Sequence, residues 1–169
     1  MIKALSFIFS IITLQVFGLA PFVIDGPSME PSLIGGDVIM IDELAGLRGL
    51  DRGNIVVFAT EKDPDYYYVK RIVGLPGEKI HITRDGLYVE NGVGGEEKLN
   101  ESYLGENVDS VPVSEGYRDN YRHTYNIPEG KYFVLGDNRL HSLDSRYFND
   151  PFIGENEIRG KYLFKIVGL

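Results

Sequence analysis

The sequence predicts a mainly β protein that carries one apolar segment at its N-terminus. After Ile24, short apolar runs alternate with clusters of Gly, Pro, Asp and Asn, which is typical of strands separated by turns. No long apolar repeat with a period of 3.6 residues occurs in this part of the chain. The 169 residues, 43% of them hydrophobic, suffice for one compact domain and an appendage. We therefore expect a transmembrane anchor over residues 1–24 and a β-rich domain over residues 25–169.

The apolar segment, Ala4 to Ile24, contains no charged residue. About 20 such residues are needed for a helix to cross the roughly 30 Å of hydrocarbon in a bilayer. Lys3 precedes the segment and Asp25 follows it, so the positive-inside rule orients the N-terminus toward the cytoplasm. The sequence thus predicts a single-pass protein of the cell membrane, with the lipid bilayer as a partner and the β-rich domain on the extracytoplasmic side.

Three other interpretations of this segment remain open: a buried core helix, an interfacial helix and a secretory signal peptide that is itself removed. The last is suggested by the small residues in Gly18-Leu19-Ala20, which suit a cleavage site. Pro21 directly afterwards argues against cleavage, because the scissile amide would be a tertiary one.

Six segments of the body have the composition of β-strands. Tight turns are predicted between them, the clearest at Asp85-Gly86 and Asn91-Gly92. From about residue 92 to 126 the aliphatic residues become sparse, which predicts a loop-rich insertion in the core. The predicted strands are Asp37–Asp42, Asn54–Phe58, Tyr66–Val73, Lys79–Ile82, Leu87–Val89 and Tyr132–Leu135.

Composition also argues against several classes of function. The formal net charge is −8 and the basic residues are scattered, so no nucleic-acid partner is expected. Cysteine is absent, which excludes disulfides and cysteine nucleophiles. The three histidines have no metal-ligand spacing, so no metal is predicted; they are His81, His123 and His141.

Ser28 lies in a turn rich in Gly and Pro, just beyond the apolar segment. Such a turn is stiff, and a nucleophile needs its hydroxyl held in one direction. Gly-Pro-Ser turns are nevertheless common in ordinary loops, so this stretch alone does not identify a catalytic residue.

Lys70 lies in the middle of the predicted strand Tyr66–Val73. Strand alternation sends Lys70 to the same face as Tyr68 and Ile72, and Arg71 to the opposite face. Burial there would lower the pKa of the lysine and allow it to act as a base. The simpler alternative is a half-exposed lysine whose ammonium reaches water.

A third segment, Gly136 to Arg146, follows the strand Tyr132–Leu135 and is crowded with small, polar and charged residues. Loops positioned by a buried strand often carry function. Asp137 and Asn138 are also suited to capping a turn, and Asp144 and Arg146 to forming a local ion pair.

Together these segments resemble type I signal peptidases, the Ser–Lys dyad proteases of the S26 family that remove signal peptides from exported proteins. The resemblance covers nearly the whole chain and follows the order of the family's motifs. It rests on the N-terminal segment, Gly26-Pro27-Ser28-Met29-Glu30-Pro31-Ser32-Leu33, Gly36–Ile39, Tyr68–Glu78, Gly136–Asn138, Ser142 and Asp144-Ser145-Arg146.

The resemblance implies a serine endopeptidase with a signal-peptidase-like fold and no cofactor. Ser28 corresponds to the nucleophile and Lys70 to the general base. Ser142 is expected to hydrogen-bond to the lysine ammonium, while Asp144 and Arg146 support their loop.

The family also implies how the substrate binds. The signal peptides of secretory preproteins would join as an added strand and be cleaved after small residues, in Ala-X-Ala sequences. The expected pocket residues are Met29, Leu33, Tyr68 and Val69. The backbone N–H of Ser28 would stabilise the oxyanion. Some relatives add a serine hydroxyl two positions earlier, where this chain has Gly26, so the second donor is left open.

Other functions compatible with these residues are a related Ser–Lys peptidase with a dedicated substrate, such as a conjugation-system or organellar inner-membrane peptidase, and a self-cleaving SOS repressor. The repressor requires a basic helical DNA-binding module, which the apolar segment replaces. An inactive membrane-tethered binding module is disfavoured because the serine, the lysine and their supporting residues are all present.

Overall fold

The computed structural model describes residues 18–90, 94–104 and 122–166, which fold into two antiparallel sheets. The prediction of a mainly β protein is confirmed. The larger sheet comprises β1 (Leu19–Val23), β2 (Val38–Asp42), β3 (Ile55–Thr60), β4 (Asp63–Gly74), β9 (Lys131–Leu135), β10 (Ile153–Gly154) and β11 (Ile158–Ile166). The smaller sheet comprises β5 (Lys79–Thr83), β6 (Gly86–Glu90), β7 (Glu96–Lys98) and β8 (Arg122–Asn126). Within these described ranges, short 3-10 helices cover Ala45–Arg48 and Glu155–Glu157.

The strand order shows how distant parts of the chain build one sheet. The larger sheet has the order β1-β2-β11-β3-β4-β9-β10, and the smaller has the order β7-β6-β5-β8. β11, near the end of the chain, lies between β2 and β3 and pairs antiparallel with both. β11 therefore joins β2 and β3 by pairing between distant parts of the chain.

All six predicted strands are present, with ends that shift by three residues at most. The predicted turn at Asp85-Gly86 joins β5 to β6, where Thr83 lies opposite Gly86. Asn91-Gly92 lies outside the described residues.

The C-terminal end of the predicted anchor is a strand and not part of a helix. Leu19–Val23 forms β1, which pairs antiparallel with Val38–Asp42 of β2. Pro21 is compatible with this arrangement because β1 is an edge strand, where the missing N–H removes no obligatory ladder bond. The boundary predicted at Ile24 therefore moves to about residue 18, and the remaining residues of the predicted anchor, 1–17, lie outside the described part of the chain.

Within the described residues, no helix has the length and apolar character that crossing a membrane requires.

The prediction for the insertion also needs correction. Instead of lacking regular structure, the stretch from residue 92 to 126 contributes β7 and β8 to the smaller sheet. Both are polar, with sequences Glu-Glu-Lys and Arg-His-Thr-Tyr-Asn, and most of their side chains are exposed. Because the two strands are stabilised mainly by pairing with β6 and β5, and Tyr125 is the side chain that packs against the core, composition did not reveal them. Residues 105–121 lie outside the described part.

The core consists of three apolar clusters, and β4 contributes to all of them. Ile72 belongs to the cluster around Phe58 and Val134. Val69 packs against the second cluster, and Val73 belongs to the third, between the two sheets. Each fully buried aliphatic side chain contributes on the order of 1.5–3 kcal/mol. β4 is therefore fixed on both faces, which makes it a rigid support for any functional residue that it carries.

Candidate active site

The turn that carries Ser28 is held by backbone hydrogen bonds on both sides. Ile24 N–H donates to the carbonyl of Asp37 at 2.8 Å, which closes the chain behind the turn. Glu30 N–H donates to Pro27 at 3.0 Å. Gly26 has φ +84°, a left-handed conformation that a side chain would disfavour. A glycine at this position is thus explained by the path of the backbone.

Lys70 is the residue that β4 directs at this turn. Its Nζ lies 2.8 Å from Ser28 Oγ, although the two residues are 42 positions apart in the sequence. Nζ also donates to the carbonyl of Val69 at 2.8 Å. The two strongest candidates from the sequence are therefore in direct hydrogen-bond contact.

The surroundings of Lys70 favour the neutral amine. The residue is only 3% exposed, and its Nζ lies 5.9 Å from the ring centroid of Tyr68 on the same strand face. Burial lowers the pKa of Lys70 to about 8, although the negative charges of Asp144 and Asp137 oppose this change. At pH 7 about one such lysine in ten is neutral, against about one in 2,500 at the ordinary pKa of ~10.4.

The segment from Gly136 to Arg146, called here the 136–146 loop, packs against the nucleophile turn. Asn138 N–H donates to the Ser28 carbonyl, and its Nδ2 donates to the Pro27 carbonyl, both at 3.1 Å. Asp144 accepts from the N–H of Gly136 at 3.0 Å and from Arg146 Nε and Nη2, each at 2.8 Å. The local Asp144–Arg146 ion pair is thus present, and the loop is braced across its base.

A second ion pair joins this loop to β4. Arg71 donates to both carboxylate oxygens of Asp137, at 2.8 and 2.6 Å, and Asp137 is buried. Arg71 also donates to the carbonyl of Gly53 at 2.8 Å. As strand alternation predicts, Arg71 points away from its neighbour Lys70, and its charge serves to hold the loop.

Ser142 does not have the hydrogen bond that the family resemblance implies. Its hydroxyl is buried beside Gly136, and within the described residues Oγ has no hydrogen-bond partner. A Cβ on Gly136 would lie 2.2 Å from Ser142 Oγ and 2.4 Å from the Ser28 carbonyl. The glycine therefore brings the 136–146 loop close to the nucleophile, while the contact between Ser142 and Lys70 is not made in this structure.

A pocket of about 280 Å³ opens at Ser28 and Lys70. Of the four residues predicted to accept substrate side chains, Tyr68 lines it. Met29 and Leu33 are at most 2% exposed and belong to the apolar cluster beneath the turn, and Val69 packs against that cluster. They support the floor of the site because the turn directs them inward. The other lining residues are Asp25, Gly26, Pro27, Asp63, Tyr66 and Leu143.

Several contacts that organise the site were not predicted from the sequence. Asp137 and Asn138 were recognised as part of the family motif and as turn caps, but their contacts with Arg71 and with the nucleophile turn were not predicted; Arg71 and Asp137 are 66 positions apart in the sequence. Leu143, which is 55% exposed, borders the pocket but was not among the predicted pocket residues. The signal in the sequence is the position of this leucine between Ser142 and Asp144 of a polar motif.

Comparison with known proteins shows the family to which the chain belongs. The family model described as "Signal peptidase, peptidase S26" matches residues 1–167. The chain belongs to the signal peptidase family. Signal peptidase IB of Staphylococcus aureus (strain COL) is 39% identical over 154 residues, which cover 88% of this chain and 78% of that protein. Signal peptidase I of Bacillus caldolyticus is 36% identical over 154 residues, covering 90% and 82%.

A solved structure is also similar to this chain. The crystal structure of a signal peptidase I from Enterococcus faecalis V583 superposes with a TM-score of 0.50 at 28% sequence identity. The match covers 67% of this chain and 96% of that chain. The family resemblance stated from the motifs is therefore confirmed.

Proposed function

We propose that this chain cleaves the signal peptides of secretory preproteins by a Ser–Lys dyad, with Ser28 as nucleophile and Lys70 as general base. The chain is a peptidase that cleaves signal peptides, as its membership of the signal peptidase family implies. The observation that carries the dyad is the 2.8 Å separation between Ser28 Oγ and a buried Lys70 Nζ. A serine hydroxyl is a weak nucleophile until a nearby base removes its proton.

The geometry supports acyl transfer in two steps. Neutral Lys70 accepts the hydroxyl proton as Ser28 Oγ attacks the scissile carbonyl carbon, and the ammonium then returns this proton to the leaving amine. Water attacks the resulting ester and releases the new carboxyl end. Within the described residues, the N–H of Ser28 has no acceptor, so it is free to donate to the developing oxyanion.

The open edge of β4 supports binding of the substrate as an added strand. β9 pairs with β4 only from Arg71 onward, so among the described strands Tyr68 and Val69 have a partner on the β3 side alone. A peptide in extended conformation along this edge would bring its scissile bond toward Lys70. The small pocket at Ser28 would then favour small side chains such as Ala before the cleaved bond.

Membrane attachment through the segment that precedes β1 belongs to the same proposal. The stretch from Ala4 to Gly18 carries no charge, and β1 leads from it to Ser28 within ten residues. This connection supports an active site close to the bilayer surface, with the catalytic domain on the extracytoplasmic side. A substrate held by its own apolar segment would then meet the enzyme at a high effective concentration.

The experiment compares two preproteins with the detergent-solubilised full chain. One has Ala directly before the scissile bond, and the other has a large residue such as Phe at that position. We expect cleavage of the first alone, and no cleavage by the Ser28→Ala variant. Activity in Ser28→Ala would show that another residue is the nucleophile. If the wild-type chain cleaved neither preprotein, the result would favour a peptidase with a dedicated substrate.

A further inference from the structure

A short segment after β7, residues 99–104, packs against the outside of the 136–146 loop. Its Glu101 forms an ion pair with Arg139, whose Nη1 donates to Glu101 Oε2 at 3.2 Å and whose Nη2 donates to Oε1. Arg139 is only 1% exposed. Tyr103 Oη donates to the same carboxylate at 2.8 Å. The segment therefore supplies the counter-charge for a buried guanidinium in the catalytic domain.

The same segment also contacts β4. The guanidinium of Arg71 lies over the ring of Tyr103, 3.9 Å from its centroid, while its nitrogens bind Asp137. The aromatic face covers the ion pair that joins β4 to the 136–146 loop. Glu101 and Tyr103 thus hold the two cations, Arg139 on the loop and Arg71 beside Lys70, from one side.

Arg139 transmits this contact through the loop. Its Nε donates to the Gly136 carbonyl at 3.1 Å, and its own carbonyl accepts from Arg146 Nη2 at 2.8 Å. Both ends of the loop are therefore tied to Arg139, Gly136 through its side chain and Arg146 through its backbone carbonyl. A buried cation tolerates the loss of its carboxylate poorly, because desolvation is then uncompensated. Removing Glu101 should therefore move or loosen the loop and not leave it in place.

We propose that Glu101 and Tyr103 are positioning residues for the Ser28–Lys70 dyad. They hold the 136–146 loop against β4 and the nucleophile turn, so that Lys70 stays buried and Ser28 Oγ stays within hydrogen-bond distance of its Nζ. This inference rests on the proposed catalytic function of the dyad. The loop reaches the dyad through the hydrogen bond from Asn138 N–H to the Ser28 carbonyl at 3.1 Å.

A loosened loop has a consequence for pH dependence as well as for rate. Water that enters beside Lys70 would favour the ammonium, so the activity would begin to rise at a higher pH. The ionisable groups around Lys70 are Tyr66 and Tyr68 on its own strand, Asp137 and Asp144 on the 136–146 loop, and Asp25 and Asp63 at the pocket. None of them is altered by the variants chosen below.

The test uses the full chain in detergent with an Ala-X-Ala preprotein. Glu101→Gln removes the charge but keeps the shape. Tyr103→Leu removes the ring over Arg71, and Tyr103→Phe keeps it. Glu96→Gln is the matched control, because Glu96 also pairs with an arginine, Arg122, but on the exposed small sheet. For each variant, kcat, KM, the pH profile of kcat/KM and thermal unfolding are measured.

We expect Glu101→Gln to lower kcat at pH 7 by roughly ten- to a hundredfold, the range that a misplacement of about 1 Å produces, with KM nearly unchanged. The alkaline rise of kcat/KM should move to higher pH by about half a unit or more. Tyr103→Leu should lower kcat more than Tyr103→Phe, while Glu96→Gln should behave as wild type. A purely structural role would reduce the folded fraction and leave the pH midpoint in place.

Wild-type kcat and pH midpoint in a folded Glu101→Gln enzyme would overturn the inference. Where Glu101→Gln does not fold, the Tyr103 pair decides, and equal kcat and equal pH midpoints for Tyr103→Leu and Tyr103→Phe overturn it. Ser28→Ala is assayed in parallel. Activity in that variant would reject the dyad itself, whereas an inactive Ser28→Ala together with an unaffected Glu101→Gln would reject only the positioning role.

Discussion

At the scale of single residues, the proposed role of Lys70 as a base requires a side chain that can lose its proton, which an arginine at this position could not do. Its base function depends on a neutral amine, and burial lowers the pKa of Lys70 to about 8. The neutral fraction therefore grows as pH rises through about 8 and is nearly complete two units above it. Activity limited by this group should follow the same curve.

The first prediction is that Lys70→Arg abolishes cleavage at every pH between 7 and 10. A guanidinium retains its proton throughout this range and cannot accept the proton of Ser28. The wild-type kcat/KM should rise with a midpoint near pH 8. Initial rates on one preprotein across the pH series give both results, and near-normal activity in Lys70→Arg would exclude Lys70 as the base.

The same burial carries a cost in stability. An unfolded lysine has a pKa of ~10.4, so between pH 8 and 10.4 the unfolded chain binds more protons at this site than the folded chain does. The contribution of Lys70 to folding is thus least favourable below pH 8 and improves as pH rises to about 10.4. A pKa lowered to about 8 corresponds to a cost of about 3 kcal/mol at neutral pH.

The second prediction is that Lys70→Met raises the free energy of unfolding by about 1–3 kcal/mol at pH 7 while abolishing catalysis. Met has a similar length and carries no charge that burial would penalise. Denaturant unfolding of both proteins at pH 7 and at pH 10.5 measures the difference, which should shrink at the higher pH. A difference that does not change with pH would mean that the gain comes from packing and not from desolvation.

At the scale of elements, the 136–146 loop depends on close backbone approach at its first residue. A Cβ on Gly136 would lie 2.2 Å from Ser142 Oγ and 2.4 Å from the carbonyl of Ser28. Contacts this short force at least one of the two chain segments to move. The segment that bears the nucleophile is one of them.

The third prediction is that Gly136→Ala destabilises the protein by about 1–3 kcal/mol and lowers kcat by roughly a hundredfold. Gly46→Ala is the matched control, because the nearest atom to its added Cβ is 4.0 Å away. Thermal unfolding and kcat are compared for the two variants. If Gly136→Ala kept the wild-type kcat, the loop would not need to approach the nucleophile this closely.

The elements differ in how far the sequence could predict them. The central strands carry apolar runs that pack on both faces, so β3, β4 and β9 were predicted nearly in full. β1 could not be recognised because an edge strand of five apolar residues at the end of an uncharged segment has the same composition as a helix end. Its pairing with β2 is a non-local property.

The candidate site was also predicted only in part, because motifs identify single residues but do not specify their contacts. Ser28 and Lys70 were singled out through motifs, and the structure brings them to 2.8 Å. The direction of Met29 and Leu33 into the core depends on the turn geometry, which composition does not specify. The pairing of Arg139 with Glu101 was missed because it joins a polar loop to a segment interpreted as irregular.

At the scale of the whole molecule, the position of β1 shortens the stretch available for membrane insertion. The uncharged residues before it, 4–18, would form a helix about 22 Å long, against ~30 Å of hydrocarbon. Lys3 and the start of β1 would then lie near the two interfaces, where a lysine stem can reach the surface. In the proposed attachment, the catalytic domain would therefore lie directly against the membrane.

The fourth prediction concerns this attachment. The wild-type chain should remain in the membrane fraction after an alkaline wash, and protease added to intact cells should digest its catalytic domain. The double variant Ile11→Lys/Ile12→Lys should be released, because each lysine near the middle of an inserted segment costs about 2.5–3.5 kcal/mol. Leu47→Lys, at a position that is 86% exposed on the body, is the control and should stay with the membrane.

Release of the double variant from the membrane should also slow cleavage of a membrane-bound preprotein more than cleavage of a short soluble peptide, because only the preprotein gains effective concentration from a shared bilayer. Equal losses on both substrates would show that the segment supports the active site itself and not the encounter with substrate.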